Sequence, residues 1–168
     1  MAPKSAKKSV TKKPVVKRRP AAKSRRLPVN FHSDNMSVVV DTTIPADRNA
    51  IDPVVQKIMA TVRKMQCAAG KEDAIELALS EALANAVVHG CKCDPAKKVE
   101  CCVACDEKTG MLIVVRDPGN GFKAGQIPNP VQGENIFSSH GRGIYLINQL
   151  MDEVRFHRNG AEIHMIKR

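Results

Sequence analysis

Residues 98–117 read KVECCVACDEKTGMLIVVRD, and the fold turns on how they are read. From Lys98 the apolar residues alternate, so Val99, Cys101, Val103 and Cys105 face one side of a strand. The DEKTG stretch, 106–110, supplies turn chemistry. MLIVVRD (111–117) then returns as a near-continuous apolar strand. Two strands joined this tightly pair as an antiparallel hairpin, because a parallel pair needs a long crossover.

Working outward, MSVVVDTT (36–43) has the β-branched content of another strand. Asp52-Pro53 predicts an N-cap followed by a first-turn proline. Val54, Val55, Ile58, Met59, Val62 and Met65 recur at helical spacing, which predicts a helix over 53–66. After a break at Gly70, a second helix is predicted over 72–89 on the arc of Ile75, Leu79, Ala82, Leu83 and Ala86, with Gly90 as its C-terminal stop. Beyond the hairpin, residues 118–140 are rich in Gly, Pro, Asn and Ser and lack periodicity, the mark of a long functional loop. GIYLINQLM (143–151) resumes helical spacing through Ile144, Ile147 and Met151. Val154–Arg158 and Ala161–Lys167 flank Asn159-Gly160, a two-residue hairpin signal. The expected fold is a two-layer α+β sandwich, with a mixed, mostly antiparallel sheet and its helices on one face.

The charge is unevenly distributed. Residues 1–28 hold 11 of the 27 Lys and Arg and no acid, whereas the rest of the chain balances 16 basic against 17 acidic groups. The +10 net charge therefore belongs to the tail. With no aromatic residue and few large apolar ones, residues 1–30 are expected to be disordered, and 31–168 to form one folded domain. Such a tail offers non-specific, salt-sensitive contact with nucleic acid through residues 1–28, or serves only as a solubilising extension. No run reaches signal-peptide or membrane-span character, so no membrane association is expected and the expected compartment is the cytoplasm. Six cysteines, at 67, 91, 93, 101, 102 and 105, then read as reduced thiols. A zinc site from Cys91, Cys93, Cys102 and Cys105 is disfavoured, because 102 and 105 point to opposite faces of a strand and Cys91-Lys92-Cys93 is too closely spaced.

Three groups of residues carry candidate chemistry. In SEALANAVVHG (80–90), Glu81, Asn85 and His89 fall four residues apart along one helix edge. By themselves they suit a solvated polar stripe, or a carboxylate and an amide roughly 6 Å apart facing a hydrated cation. In RDPGNGF (116–122), Asp117 ends a strand and precedes Gly119 and Gly121. That pattern serves a plain turn, or a carboxylate accepting from a ligand amine beside backbone stripped for close approach. In SSHGRGIYLI (138–147), Gly141 and Gly143 flank Arg142 where a helix begins, a flexible junction or an anion site at a helix N-terminus. The G-x-x-x-x-G-K-[ST] phosphate loop and the H-R-D and D-F-G kinase motifs are absent.

In this order the three groups resemble the nucleotide site of the GHKL (Bergerat-fold) ATPases and kinases. EALAN (81–85) resembles the N box, DPGNG (117–121) the first glycine box and GRG (141–143) the second. The resemblance spans roughly residues 36–168 and is nearest to bacterial anti-sigma-factor serine/threonine kinases. It implies ATP and Mg²⁺ as ligands, with Asn85 coordinating the metal and Glu81 as general base toward a protein hydroxyl. It also implies Asp117 accepting from the adenine amine, Gly119 and Gly121 shaping the adenine pocket, and Gly141, Arg142 and Gly143 meeting the phosphates. Residues 123–140 would be the ATP lid, and His89 would shape the pocket or pack locally. The implied partners are a sigma factor and a STAS-domain antagonist, and the implied assembly is a homodimer. An ATP-binding switch without kinase turnover is the alternative. One departure is that AEIHMIKR (161–168) lacks the threonine common near the adenine in this family.

Overall fold

The computed structural model describes residues 37–66, 68–106, 110–121 and 142–168. Strand β1 (Ser37–Pro45) is followed by helices α1 (Ile51–Met65) and α2 (Glu72–Asn85) and the hairpin of β2 (Lys98–Asp106) and β3 (Gly110–Arg116). Helix α3 (Arg142–Leu150) then leads into the hairpin of β4 (Glu153–His157) and β5 (Glu162–Lys167). The sheet runs β1-β2-β3-β5-β4, and among the described residues every pairing is antiparallel, in keeping with the expected two-layer α+β fold. The predicted boundary at 30/31 and the lid at 123–140 lie outside the described residues.

The helices cover one face of the sheet. Ile44, Val103, Ile113, Val115 and Met165 from the strands are buried against Met59, Ile75, Leu79, Leu83 and Ile147 from the helices. Alternation in β2 holds from Val99 to Val103, with Val99, Cys101 and Val103 buried and Glu100 and Cys102 half-buried, and then ends, since Ala104 is buried as well as Cys105. In β3 and β5 burial is almost continuous: Leu112, Val114 and Ile166, on the face away from the helices, are as buried as the core residues that alternate with them. The face away from the helices carries a polar row. Glu100 pairs with Arg116, and Arg116 with Glu162, in the β2–β3–β5 register. The Arg116 guanidinium donates to Glu162 at 2.7 Å and to Glu100 at 3.0 Å. His164 Nε2 lies 2.6 Å from the other Glu162 oxygen.

Local chemistry departs from expectation at four places. The cap before α1 is Ala50, not Asp52; Asp47 instead accepts from the Asn49 N–H at 3.0 Å in a 3₁₀ turn that feeds the helix. Pro53 remains harmless within the first turn, whose N–H groups have no intrahelical partner. The second helix changes character at its end: after Asn85 it widens into a π turn, Ala86–Gly90, closed by the Cys91 N–H on the Ala86 carbonyl at 2.8 Å. Gly90 lacks the left-handed backbone of a C-terminal stop. Cys105 is disulfide-bonded rather than a reduced thiol, while Cys91, Cys93, Cys101 and Cys102 are free.

The Asn159-Gly160 reading holds. The Ala161 N–H reaches the Arg158 carbonyl at 3.2 Å, with Asn159 at φ 56°, ψ 35° and Gly160 at φ 86°. Those angles make a type I′ turn, the form whose twist matches its strands.

Candidate functional site

The three groups of candidate residues converge at one end of the sheet. Strand β3 stops at Arg116, and the next residue, Asp117, is tied to the neighbouring strand by its N–H on the Ala161 carbonyl at 3.0 Å. Its carboxylate is only 8% exposed and accepts from the Gly119 N–H at 2.7 Å. This Asx-type turn aims the carboxylate back toward the end of α2. Burial pushes the Asp117 carboxyl upward; the Gly119 N–H and the charges of Arg158 and Lys97 oppose that shift.

Three glycines make this convergence possible by lacking a Cβ. A Cβ on Gly90 would lie 2.5 Å from Asp117 Oδ2 and closer still to the carboxyl carbon. A Cβ on Gly119 would lie 2.5 Å from the Gly90 carbonyl oxygen. Gly121 has φ +72° and abuts the β4–β5 turn, where a Cβ would meet the Asn159 carbonyl. Gly90 and the 158–161 turn were not among the predicted site residues. The Asn-Gly signal located the turn but not its place against Gly121, and the Gly90 contact crosses the chain to Asp117.

At the other side of the site, α3 starts against the α2 edge. A Cβ on Gly143 would lie 2.5 Å from Glu81 Oε2, 3.3 Å from Asn85 Nδ2 and 3.5 Å from Asn85 Oδ1. Glu81 and Asn85 are both half-buried, so the predicted polar stripe is not simply solvated. His89 is exposed and lies in the π turn, so the α-helical spacing that aligns Glu81 with Asn85 stops short of it. Arg142 is the exposed first residue of α3. Gly141 lies outside the described residues.

Beside this site, burial, with a contribution from the Asp117 charge, pushes the Cys91 thiol upward, so it packs as a small apolar group. Among the described residues no group of three His, Cys, Asp or Glu side chains is placed to hold a metal ion. Nor is any described helix long and apolar enough to cross a membrane.

The arrangement suits a nucleotide. A buried carboxylate fits an exocyclic amine, and Gly119 and Gly121 let the Gly90 carbonyl and the 158–161 turn pack closely against the segment that carries it. An amide oxygen and a carboxylate at the start of a helix fit a phosphate chain carrying a hard cation such as Mg²⁺. The family model of the histidine kinase-like ATPase domain matches residues 44–167, which takes in Glu81, Asn85, Asp117 and all the glycines above. No curated protein matches the chain. With that match across most of its length, the chain belongs to the histidine kinase-like ATPase domain family, of the GHKL type, whose members bind ATP.

Proposed function

We propose that this domain is a protein serine/threonine kinase that acts as an anti-sigma factor. It would bind a sigma factor and phosphorylate a STAS-domain antagonist of that binding. The observation that carries the proposal is the junction of α2 with α3, where Glu81 and Asn85 both reach the side-chain-free Gly143. A carboxylate beside a phosphate-facing helix start is placed to serve as a base, and phosphoryl transfer asks mainly for such positioning.

In this reading Asp117 accepts from the adenine amine, with Gly119 and Gly121 bounding the base. Gly141, Arg142 and Gly143 face the phosphates. Mg²⁺ held through Asn85 would neutralise phosphate charge. Glu81 takes the proton from the acceptor hydroxyl, whose oxygen bonds to the γ-phosphorus of ATP. The bond to the β–γ bridging oxygen breaks, and ADP leaves with that electron pair. Homodimerisation and a salt-sensitive hold on nucleic acid by residues 1–28 belong to the same proposal as accessory properties.

The test incubates the full chain with Mg-ATP and candidate STAS-domain proteins, followed by phosphosite mapping. Transfer to one serine or threonine is expected. Glu81→Gln should lower its rate 10²–10⁴-fold, the usual worth of a positioned base, while ATP binding is kept. If no acceptor is labelled but capture of a sigma factor still depends on ATP, the domain is a nucleotide-gated binding switch and the kinase reading fails.

A further inference from the structure

We propose that Leu77 selects the phosphoacceptor, by receiving an apolar side chain two residues away from the reacting serine or threonine; this rests on the kinase reading above. Helix α2 places Leu77, Glu81 and Asn85 at successive four-residue steps on one edge. Leu77 is 43% exposed, although its neighbours Ala78 and Leu79 are buried. The apolar face of α2 is complete without it, in Ile75, Ala78, Leu79, Ala82 and Leu83.

Among the described residues the other exposed large hydrophobics are Val38 and Met65. Val38 is the second residue of β1 and Met65 the last of α1, so both sit at element ends. Leu77 stands in mid-helix, one turn from the carboxylate that would take the acceptor's proton. Its exposed side chain therefore stands one helical turn before Glu81.

The spacing identifies the occupant. One helical turn separates Leu77 from Glu81 by about 6 Å along the axis. In an extended chain, residues i and i+2 project from the same side about 6.6 Å apart. A peptide laid along α2 with its hydroxyl at Glu81 thus sets the side chain two residues away on Leu77. A folded acceptor presenting its serine on an extended segment would dock in the same way. Covering the exposed part of one leucine supports roughly a tenfold preference for an apolar partner.

The experiment uses the full chain, Mg-ATP and serine-centred peptides carrying Leu, Ala or Asp at position −2 or +2. A STAS-domain acceptor is run in parallel. Leu at one of the two positions should raise kcat/KM about tenfold over Ala, through KM. Leu77→Ala should erase that preference and Leu77→Met restore it, with the Kd for Mg-ATP as internal control. Equal labelling of all peptides, or labelling of the STAS-domain acceptor but of no peptide, overturns the role of Leu77 and leaves the kinase reading standing. A preference that survives Leu77→Ala does the same. No labelling of any acceptor overturns both.

Discussion

Gly90→Ala should displace the Asp117 carboxylate, the group proposed to bind the base of ATP, and the size of the effect follows from the contact geometry. Gly90 does not need its backbone freedom, since its φ lies outside the left-handed region. What it lacks is room: the added Cβ would lie 2.5 Å from Asp117 Oδ2, where ordinary contact begins at 3.4 Å. The carboxyl carbon lies closer still, so the group must retreat by more than about 1 Å, and Asp117 has little freedom to do so. Its backbone N–H is held by Ala161 and its carboxylate by the Gly119 N–H at 2.7 Å. Either that hydrogen bond breaks or the π turn at 86–90 shifts. Overpacking of this kind costs about 1–3 kcal/mol, and a lost hydrogen bond to a charged group falls in a similar range.

The expected result is a destabilisation of about 2 kcal/mol in urea unfolding, with ATP affinity reduced at least about tenfold by calorimetric titration. Gly70→Ala is the matched control. Gly70 has φ +80° but nothing within 4 Å of the added Cβ, so alanine there is strained without collision. It should lose about 1 kcal/mol of stability and leave ATP affinity unchanged. Wild-type ATP affinity in Gly90→Ala would refute the geometric reasoning. So would equal losses of affinity in the two variants.

Other substitutions separate fold from function. Gly143→Ala places a Cβ 2.5 Å from Glu81 Oε2 inside a helix, where alanine outranks glycine by up to about 1 kcal/mol. The melting temperature should hold or rise slightly, while the phosphotransfer proposed for this site should drop about 10²-fold as the carboxylate is displaced. On the opposite sheet face, burial works against the charge of Glu162, but hydrogen bonds from Arg116 and His164 outweigh it and hold the carboxyl at about 2. A carboxyl held below its ordinary 4.5 contributes stability above that pH and loses it as the pH falls toward 2. Burial lowers His164 from its ordinary 6.5, so its contribution is lost as the pH falls below that value. Both act in one direction, so urea unfolding should show stability declining on acidification in two stages. Arg116→Gln should remove most of the lower stage and cost about 3 kcal/mol at pH 7 by stranding a buried carboxylate.

Much of this was legible because burial writes periodicity into a chain. The alternation from Val99 to Val103 marked a strand with one face on the core, and the unbroken run from Met111 to Val115 marked a strand buried on both faces. Asn159-Gly160 marked its turn because few other pairs accept left-handed conformations so readily, although Arg158 before them is left-handed too, at φ 50°. Contacts between distant segments leave no such mark. Gly90 looked like a helix stop, since its use against Asp117 depends on how two remote pieces of chain meet. Asp52-Pro53 read as the helix start because the 3₁₀ turn capped by Asp47 leaves no periodic mark ahead of α1. Glu162 and His164 alternate with apolar neighbours as though facing water. Local pattern cannot distinguish polar groups that meet solvent from polar groups that meet each other.

That hidden row bears on the site itself. Arg116 and Asp117 are consecutive, and they project to opposite sides of the strand end. The guanidinium of Arg116 is locked on the far face by Glu100 and Glu162. One residue on, the Asp117 N–H is bonded to the Ala161 carbonyl, adjacent in sequence to Glu162. The ion pairs thus fasten β3 to β5 at the point where Asp117 leaves the sheet. The buried charges are costly to desolvate, and apolar residues in their place would often be at least as stable. Their use at this position is to fix a strand end. A carboxylate that is to meet a base edge at hydrogen-bond distance, the role proposed for Asp117, tolerates little play in the backbone that carries it.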